Sequence, residues 1–203
     1  VLASSALFLL CLDGNISRVD AGFLLILFFF FMGYTLFTAK SGDVPAAEEK
    51  KPMKPLVAAM WLLVGLLCLV FGSNLFVDGA TTVAKTMGVS DAIIGLTIVA
   101  GGTSLPELAT SVVAARKGNS GIAIGNVLGS NVFNILFILG VTGVISPINI
   151  QGIGTVDLTV LFGSMVLMWL LSFTKYTISR IEGTFMASCY MAYMTYLIIQ
   201  VMK

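Results

Sequence analysis

Two shortages limit what this protein can do: it has no histidine and few charged side chains. Charged residues make up 10% of its 203 residues, whereas soluble domains carry about 25%. Without histidine, the chain lacks the commonest transition-metal ligand and the usual proton carrier near neutral pH. The formal net charge of +1 gives no basis for nucleic-acid binding.

Cysteine is also scarce. The three cysteines all lie in apolar runs, at Cys11, Cys68 and Cys189. We interpret them as small core residues rather than as a disulfide framework or a metal site. No cofactor is expected from this composition.

Apolar residues, by contrast, are abundant, at 58% of the chain. Most apolar runs are about 20 residues or longer, the length that a helix needs to cross ~30 Å of hydrocarbon. The alternating pattern of a membrane β-barrel is absent. The sequence therefore predicts an all-α, multi-pass integral membrane protein. The predicted spans are 22–37, 56–86 (tilted or kinked near residue 72), 91–115, 122–144, 155–173 and 184–202.

The chain begins at Val1, inside an apolar run that is too short for a full span and lacks the basic region of a signal peptide. We expect residues 1–12 to be the end of a helix, followed by a turn at 13–15. Further helices of the same full-length protein are then expected upstream.

A charged segment, residues 40–55, interrupts the apolar runs with three prolines and seven charges. It is predicted to be a solvated linker and is the only candidate domain boundary. If the linker is cytoplasmic, eight of the 11 Lys and Arg residues fall on its side of the membrane. This bias agrees with the positive-inside rule.

Two segments of the sequence resemble each other, ISRVDAGF at residues 16–23 and ISRIEGTF at residues 178–185. Five predicted crossings separate the spans that follow them, so the two copies enter the membrane in opposite directions. Such inverted repeats are typical of secondary transporters, whose ion site lies at the repeat interface. We therefore predict that residues 1–39 hold the last two helices of a first repeat. Residues 56–203 would then form a second repeat of five helices.

The most informative stretch is GGTSLPE, residues 101–107. Pro106 lacks an N–H group and clashes with the carbonyl four residues earlier, so main-chain carbonyls near Ala100 should lose their helical partners. In a bilayer such carbonyls are tolerated only where they line a cavity or bind something. Thr103 and Ser104 add hydroxyl oxygens, and Glu107 adds a carboxylate that is costly to keep in hydrocarbon. This oxygen-rich, anionic group suits hard cations such as Na⁺ and Ca²⁺.

The next span carries amides where hydrocarbon is expected. Asn126, Ser130 and Asn134 recur at intervals of four residues, which places them on one helical face, with Asn131 at its edge. A small-xxx-small pair on the same span lets another helix approach closely. We expect these side chains to help complete a coordination shell around the cation.

GTSLPELATS followed by GNVLGSNVFNI resembles the second α-repeat of the cation/calcium exchanger superfamily, in particular the prokaryotic sodium/calcium exchanger and its potassium-dependent relatives. The resemblance implies ten helices in two inverted halves, of which this chain would hold about helices four to ten. It also implies alternating access, in which Na⁺ enters as Ca²⁺ is expelled across the cell membrane.

The same resemblance assigns ligands. It implies that Glu107 is the main cation ligand of this half. It adds as ligands the Ala100 carbonyl, Thr103, Ser104, Ser130 and Asn134, while Asn126 and Asn131 are weaker candidates. Several members have Asp where this chain has Asn134, which leaves the charge of the site and its potassium dependence open. A partner acidic motif is expected from the upstream helices.

Three alternatives stay open. The protein could be a proton-coupled or other cation exchanger. The proton-coupled exchangers carry an acid after their GN motif, whereas this chain has Leu128-Gly129-Ser130 there, which argues weakly against proton coupling. An intramembrane enzyme is disfavoured because Glu107 has no Asp, His or Ser partner arranged as a catalytic pair. A channel would need one Glu from each subunit around an axis, whereas an inverted repeat builds its site inside one chain.

Overall fold

A computed structural model describes residues 1–40, 54–150, 154–173 and 178–202. In these ranges the chain is almost entirely helical. The α-helices are α1 (Leu2–Leu10), α2 (Arg18–Lys40), α3 (Pro55–Thr86), α4 (Asp91–Ile94), α5 (Ala100–Thr103), α6 (Leu105–Arg116), α7 (Ser120–Val132), α8 (Leu139–Ile145), α9 (Thr155–Ser172) and α10 (Arg180–Val201). Two π-helical segments, Gly95–Val99 and Phe133–Ile138, join α4 to α5 and α7 to α8. The two strands are β1 (Asn15–Ile16) and β2 (Ile148–Asn149).

The prediction of an all-α, multi-pass membrane protein is confirmed. Five stretches are long and apolar enough to cross a membrane, and a helix pair bent by 45° at a short break, Asp91–Thr103 with Leu105–Arg116, gives a sixth. The five are Arg18–Ala39, Pro55–Thr86, Ser120–Ile145, Thr155–Ser172 and Arg180–Val201.

Helix α3 continues without interruption through residue 72, where a kink or tilt was expected. Most of the predicted linker, residues 41–53, lies outside the described residues. The division of the chain at that linker stays a prediction.

The described residues form two compact units. The first consists of residues 1–40, 128–150, 154–173 and 178–193, and the second of residues 54–127 and 194–202.

In the first unit, α2 packs closely on α8 because α8 presents glycine at the contact. A Cβ atom added to Gly140 would lie 2.8 Å from the Leu25 Cγ atom, and one added to Gly143 would lie 2.7 Å from the Ala21 Cβ atom. Both distances are too short for a side chain, so the helices can approach this closely only with glycine there. The buried core around this contact comprises Leu7, Cys11, Ile16, Ala21, Leu24, Phe28, Ile135, Leu136 and Leu158.

A two-residue ribbon closes one end of the first unit. β1 and β2 pair in antiparallel fashion, with Asn15 opposite Asn149 and Ile16 opposite Ile148. The predicted turn before β1 is present, with Gly14 at φ +80°. The ribbon itself was not predicted, because a strand of two residues leaves no alternating pattern in the sequence.

The two similar segments at residues 16–23 and 178–185 begin their helices in the same way. At α2, the Ser17 N–H donates to Asp20 Oδ2 at 2.9 Å and the Asp20 N–H donates to Ser17 Oγ at 3.2 Å. At α10, the Ser179 N–H donates to Glu182 Oε2 at 2.6 Å and the Glu182 N–H donates to Ser179 Oγ at 3.3 Å. Each pair is a reciprocal capping box, so the sequence similarity corresponds to a shared local structure.

In the second unit, α3 packs against the segment from α4 to α6 and turns back on it through a short loop. Gly88 in that loop has φ +79°, a conformation that glycine adopts readily. Lys85 Nζ and Asp91 Oδ1 form an exposed ion pair of 2.9 Å across the turn. The loop thereby joins two antiparallel spans.

The interpretation of the cysteines holds for one residue of three. Cys11 is buried, whereas Cys68 and Cys189 are exposed, and all three are free thiols. The interpretation of Cys68 and Cys189 as core residues was wrong because an apolar membrane helix can face hydrocarbon as well as a protein core. Hydropathy alone does not distinguish these faces.

Candidate ion-binding site

The motif at residues 101–107 lies at a break between two helices. α5 ends at Thr103, α6 begins at Leu105, and the two parts of the span are bent by 45°. Ser104, at the break, has φ −96° and ψ 1°, which is outside the helical region. Pro106 occupies the first turn of α6, where its missing N–H group costs no helical hydrogen bond. The predicted interruption of the span is therefore confirmed.

The break rearranges the main-chain hydrogen bonds that a continuous helix would make. The Ser104 N–H donates to the Gly101 carbonyl at 3.1 Å, three residues back instead of four. The Ala100 carbonyl accepts instead from the Thr103 hydroxyl at 2.9 Å. Two predicted ligand oxygens, the Ala100 carbonyl and Thr103 Oγ1, are thus adjacent. Each keeps a lone pair that the bond between them does not use.

Ala100, Thr103 and Ser104 are all exposed in this structure. Just before them, the π-helical segment Gly95–Val99 interrupts the regular α-helical pattern. π-Helical turns occur frequently at functional sites. This segment was not predicted, because a single inserted residue leaves the apolar character of a span unchanged.

Glu107 lies in the first turn of α6 and is half-buried. Its Oε2 atom is buried and, among the described residues, has no hydrogen-bond partner. Thr81 Oγ1, on α3 of the same unit, is likewise buried and has no hydrogen-bond partner among the described residues. A charged oxygen without a partner costs roughly 3 kcal/mol or more inside a membrane, although the positive N-terminal end of α6 offsets part of the cost. Nowhere in the described residues do three or more His, Cys, Asp or Glu side chains form a cluster that could hold a metal ion.

Asn126 joins the next helix to the main chain of α6. Its Nδ2 atom donates to the Glu107 carbonyl oxygen and to Ser111 Oγ, each at 3.0 Å. Ser111 Oγ in turn donates to the Ala123 carbonyl at a longer 3.5 Å. The structure thus brings Asn126 and Ser111 next to Glu107, and it gives the Asn126 amide a role between helices.

The remaining predicted ligands belong to the first unit. Ser130 and Asn131 are half-buried near the end of α7, and Asn134 is exposed in the π-helical segment Phe133–Ile138. The predicted four-residue stacking assumed regular α-helix through Asn134. The π-helical turn was missed for the same reason as the first one. The role of these three residues in cation binding stays a prediction.

Comparison with known proteins identifies the family. Residues 57–199 match the family described as "Sodium/calcium exchanger protein". The sodium/calcium exchanger MaX1 of Methanosarcina acetivorans is 53% identical over 90 residues, which are 44% of this chain and 26% of MaX1. The inner membrane protein YrbG of Escherichia coli K12 is 35% identical over 156 residues, which are 72% of this chain and 47% of YrbG.

The fold is also similar to a solved structure. The sodium-calcium exchanger NCX_Mj superposes with a TM-score of 0.76 at 32% identity, over 94% of this chain and 60% of NCX_Mj. The chain therefore spans less than two thirds of the length of each of these relatives. The family match covers more than half of the chain, and the chain belongs to the sodium/calcium exchanger protein family.

Proposed function

We propose that the protein is a secondary antiporter of the cell membrane that exchanges Na⁺ for Ca²⁺ by alternating access, with Glu107 as the central cation ligand of this half. Its family consists of exchangers, which are transporters rather than a class of enzymes. The observation that carries the proposal is the Glu107 Oε2 atom, which is buried and has no hydrogen-bond partner in the part of the chain that the structure describes. A bound cation would offset the cost of keeping this carboxylate in a membrane span.

The neighbouring oxygens support the choice of a hard cation. The Ala100 carbonyl and Thr103 Oγ1 lie together at the end of α5, and Ser104 lies at the break itself. Carbonyl, hydroxyl and carboxylate oxygens are the ligands that Ca²⁺ prefers. The C-terminal end of a half-helix also directs its carbonyl dipoles toward a cation, as in other transporters with broken helices.

The rest of the coordination shell is proposed from the family resemblance. Ser130 and Asn134 would contribute further oxygens, and Asn131 is a weaker candidate. In the proposed ten-helix inverted repeat, this chain corresponds to about helices four to ten, and upstream helices supply the partner acidic motif. Na⁺ and Ca²⁺ would compete for overlapping oxygens, so occupancy by one ion excludes the other and couples their movements.

The test is calcium uptake by the full-length protein in liposomes that are loaded with Na⁺ and diluted into Na⁺-free buffer with radiolabelled Ca²⁺. Glu107→Gln keeps the shape of the side chain and removes its charge, so uptake should fall to the level of protein-free liposomes. Asp91→Asn is the matched control, because Asp91 lies in the same bent span but is exposed and paired with Lys85. This variant should transport at a rate close to that of the wild type.

Each outcome of this assay bears on a different part of the proposal. Wild-type uptake by Glu107→Gln would remove Glu107 from the site. Uptake by the wild-type protein that follows a pH gradient and ignores the Na⁺ gradient would identify a proton-coupled exchanger instead. Absence of Ca²⁺ flux under both gradients would rule out Ca²⁺ as the transported ion.

A further inference from the structure

We propose that Asn126 is a positioning residue for Glu107, and that it acts by holding the main chain of α6 rather than by binding the cation. This inference rests on the proposed function, because it concerns the geometry of the same cation site. It is carried by the two hydrogen bonds that the Asn126 amide makes to α6 at Glu107 and Ser111.

The orientation of the Asn126 amide follows from the chemistry of its neighbours. The Glu107 carbonyl oxygen can only accept a hydrogen bond. Ser111 donates its single hydroxyl proton to the Ala123 carbonyl, so toward Asn126 it also acts as an acceptor. Two acceptors 3.0 Å away require the NH₂ group of the amide, since the amide oxygen cannot donate to either. Both N–H bonds of Asn126 are thereby used to connect α7 with α6.

The two hydrogen bonds from Asn126 form a bridge between α7 and α6. The position of this bridge explains why Glu107 needs it. The first turn of α6 follows the break at Ser104, and Pro106 has no N–H group with which to tie this turn to the preceding helix. Asn126, on the neighbouring helix α7, therefore holds the main chain at Glu107 in place through its side chain. Without this bridge, the Glu107 main chain is free to shift relative to α7, and its carboxylate shifts with it.

The competing role for Asn126 is direct ligation of the cation through its Oδ1 atom. The two roles predict opposite effects of Asn126→Asp, which has nearly the same shape. As a ligand, aspartate adds negative charge and should bind Ca²⁺ at least as tightly. If residue 126 positions Glu107 instead, aspartate should weaken Ca²⁺ binding. An ionised aspartate has no proton to donate, and it would place a second acceptor against the Glu107 carbonyl.

The experiment is calorimetric titration of CaCl₂ into the purified full-length protein in Na⁺-free detergent solution. Asn126→Ala and Asn126→Asp should each weaken Ca²⁺ binding by about 10- to 100-fold, the range found for residues that orient metal ligands. Ser111→Ala should cause a smaller loss. The double variant Asn126→Ala/Ser111→Ala should bind no more weakly than Asn126→Ala alone, because both changes remove the same bridge.

Thr110→Val is the matched control. Its hydroxyl lies next to Ser111 in sequence but bonds within its own helix, to the Pro106 carbonyl at 2.7 Å, so its removal should leave the Ca²⁺ affinity close to that of the wild type. Melting curves of every variant in Ca²⁺-free solution separate positioning from stability. A purely structural role would lower the melting temperature of Asn126→Ala and leave the affinity of the folded protein unchanged.

The results distinguish failure of this inference from failure of the proposed function. If the wild-type protein binds no Ca²⁺, the proposed function fails. If the wild type binds and Asn126→Asp binds as tightly or more tightly, Asn126 is a ligand and the positioning role is wrong. Retention of affinity in Asn126→Ala also overturns it. Should Asn126→Ala not fold, Asn126→Asp and Ser111→Ala still decide between the two roles.

Discussion

Gly102→Ala should destabilise the protein, because Gly102 is where α5 meets α3. A Cβ atom at this position would lie 2.0 Å from the Val77 Cγ2 atom. Nonbonded carbon atoms pack at about 3.5–4.0 Å, so the contact must open by about 1.5 Å or more. Val77 is β-branched and lies within α3, where its χ1 rotamer is restricted. Either Val77 must leave its preferred rotamer or the two helices must separate.

Inserting a methyl group into such a contact costs about 1–3 kcal/mol. The neighbouring Gly101 supplies an internal control, because no atom of the described residues lies within 4 Å of the position that its Cβ atom would take. Both changes replace glycine with alanine in the same short helix, so their gains in helix propensity cancel in the comparison. The difference between the two variants should therefore be the cost of the steric contact, about 1–3 kcal/mol.

Thermal unfolding of the full-length protein in detergent, monitored by circular dichroism without Ca²⁺, measures this difference. Each kcal/mol shifts the melting temperature by about 2–4 °C in a chain of 150–250 residues and by less in a longer one. Gly102→Ala should therefore melt a few degrees or less below Gly101→Ala. Adding Val77→Ala to Gly102→Ala removes the clashing Cγ2 atom and should recover part of the loss. Equal melting temperatures for the two glycine variants would refute the close approach of α5 to α3.

Two further predictions concern the first unit and use the same melting assay. Ser17→Ala and Ser179→Ala should each lower the free energy of unfolding by about 1 kcal/mol, since each removes a helix cap. Ser188→Ala, whose hydroxyl donates to the Thr184 carbonyl within its own helix, should change it little, and equal effects of all three would contradict the capping role. Gly140→Ala should lower the free energy of unfolding by about 1–3 kcal/mol, because its Cβ atom would meet Leu25. Gly163→Ala should not, because a Cβ atom there meets nothing within 4 Å among the described residues; an undiminished stability of Gly140→Ala would contradict the packing of α2 on α8.

Four of the six spans were predicted to within two residues at each end, because hydropathy and end signals act locally, whereas α2 and α10 begin four residues before the predicted starts at 22 and 184. The span expected at 155–173 is observed at Thr155–Ser172. Its start is marked by Asp157, whose Oδ2 atom accepts a hydrogen bond from the Gly154 N–H at 2.7 Å. The span expected at 122–144 is observed at Ser120–Ile145. Errors of one or two residues are usual at helix ends.

The helix break could also be predicted, for a covalent reason. Pro106 lacks an N–H group in every fold, so a continuous hydrogen-bonded helix through it was excluded from the start. The π-helical segments have no comparable signal, because one inserted residue leaves the apolar character of a span unchanged. The β1–β2 ribbon has none because it depends on pairing between distant parts of the chain. The close approach of Gly102 to Val77 could not be foreseen from the sequence, because it depends on α3 lying opposite.

Asn126 shows most clearly where sequence reasoning ends. An asparagine side chain offers both a donor and an acceptor, so its type and spacing suit a cation ligand and a bridge between helices equally well. The four-residue interval to Ser130 predicts which face it occupies but not what that face meets. The choice depends on its neighbours: the Glu107 carbonyl and Ser111 Oγ are both acceptors. Only the folded structure shows that the NH₂ group donates to α6. The positioning role that we infer follows from this donation.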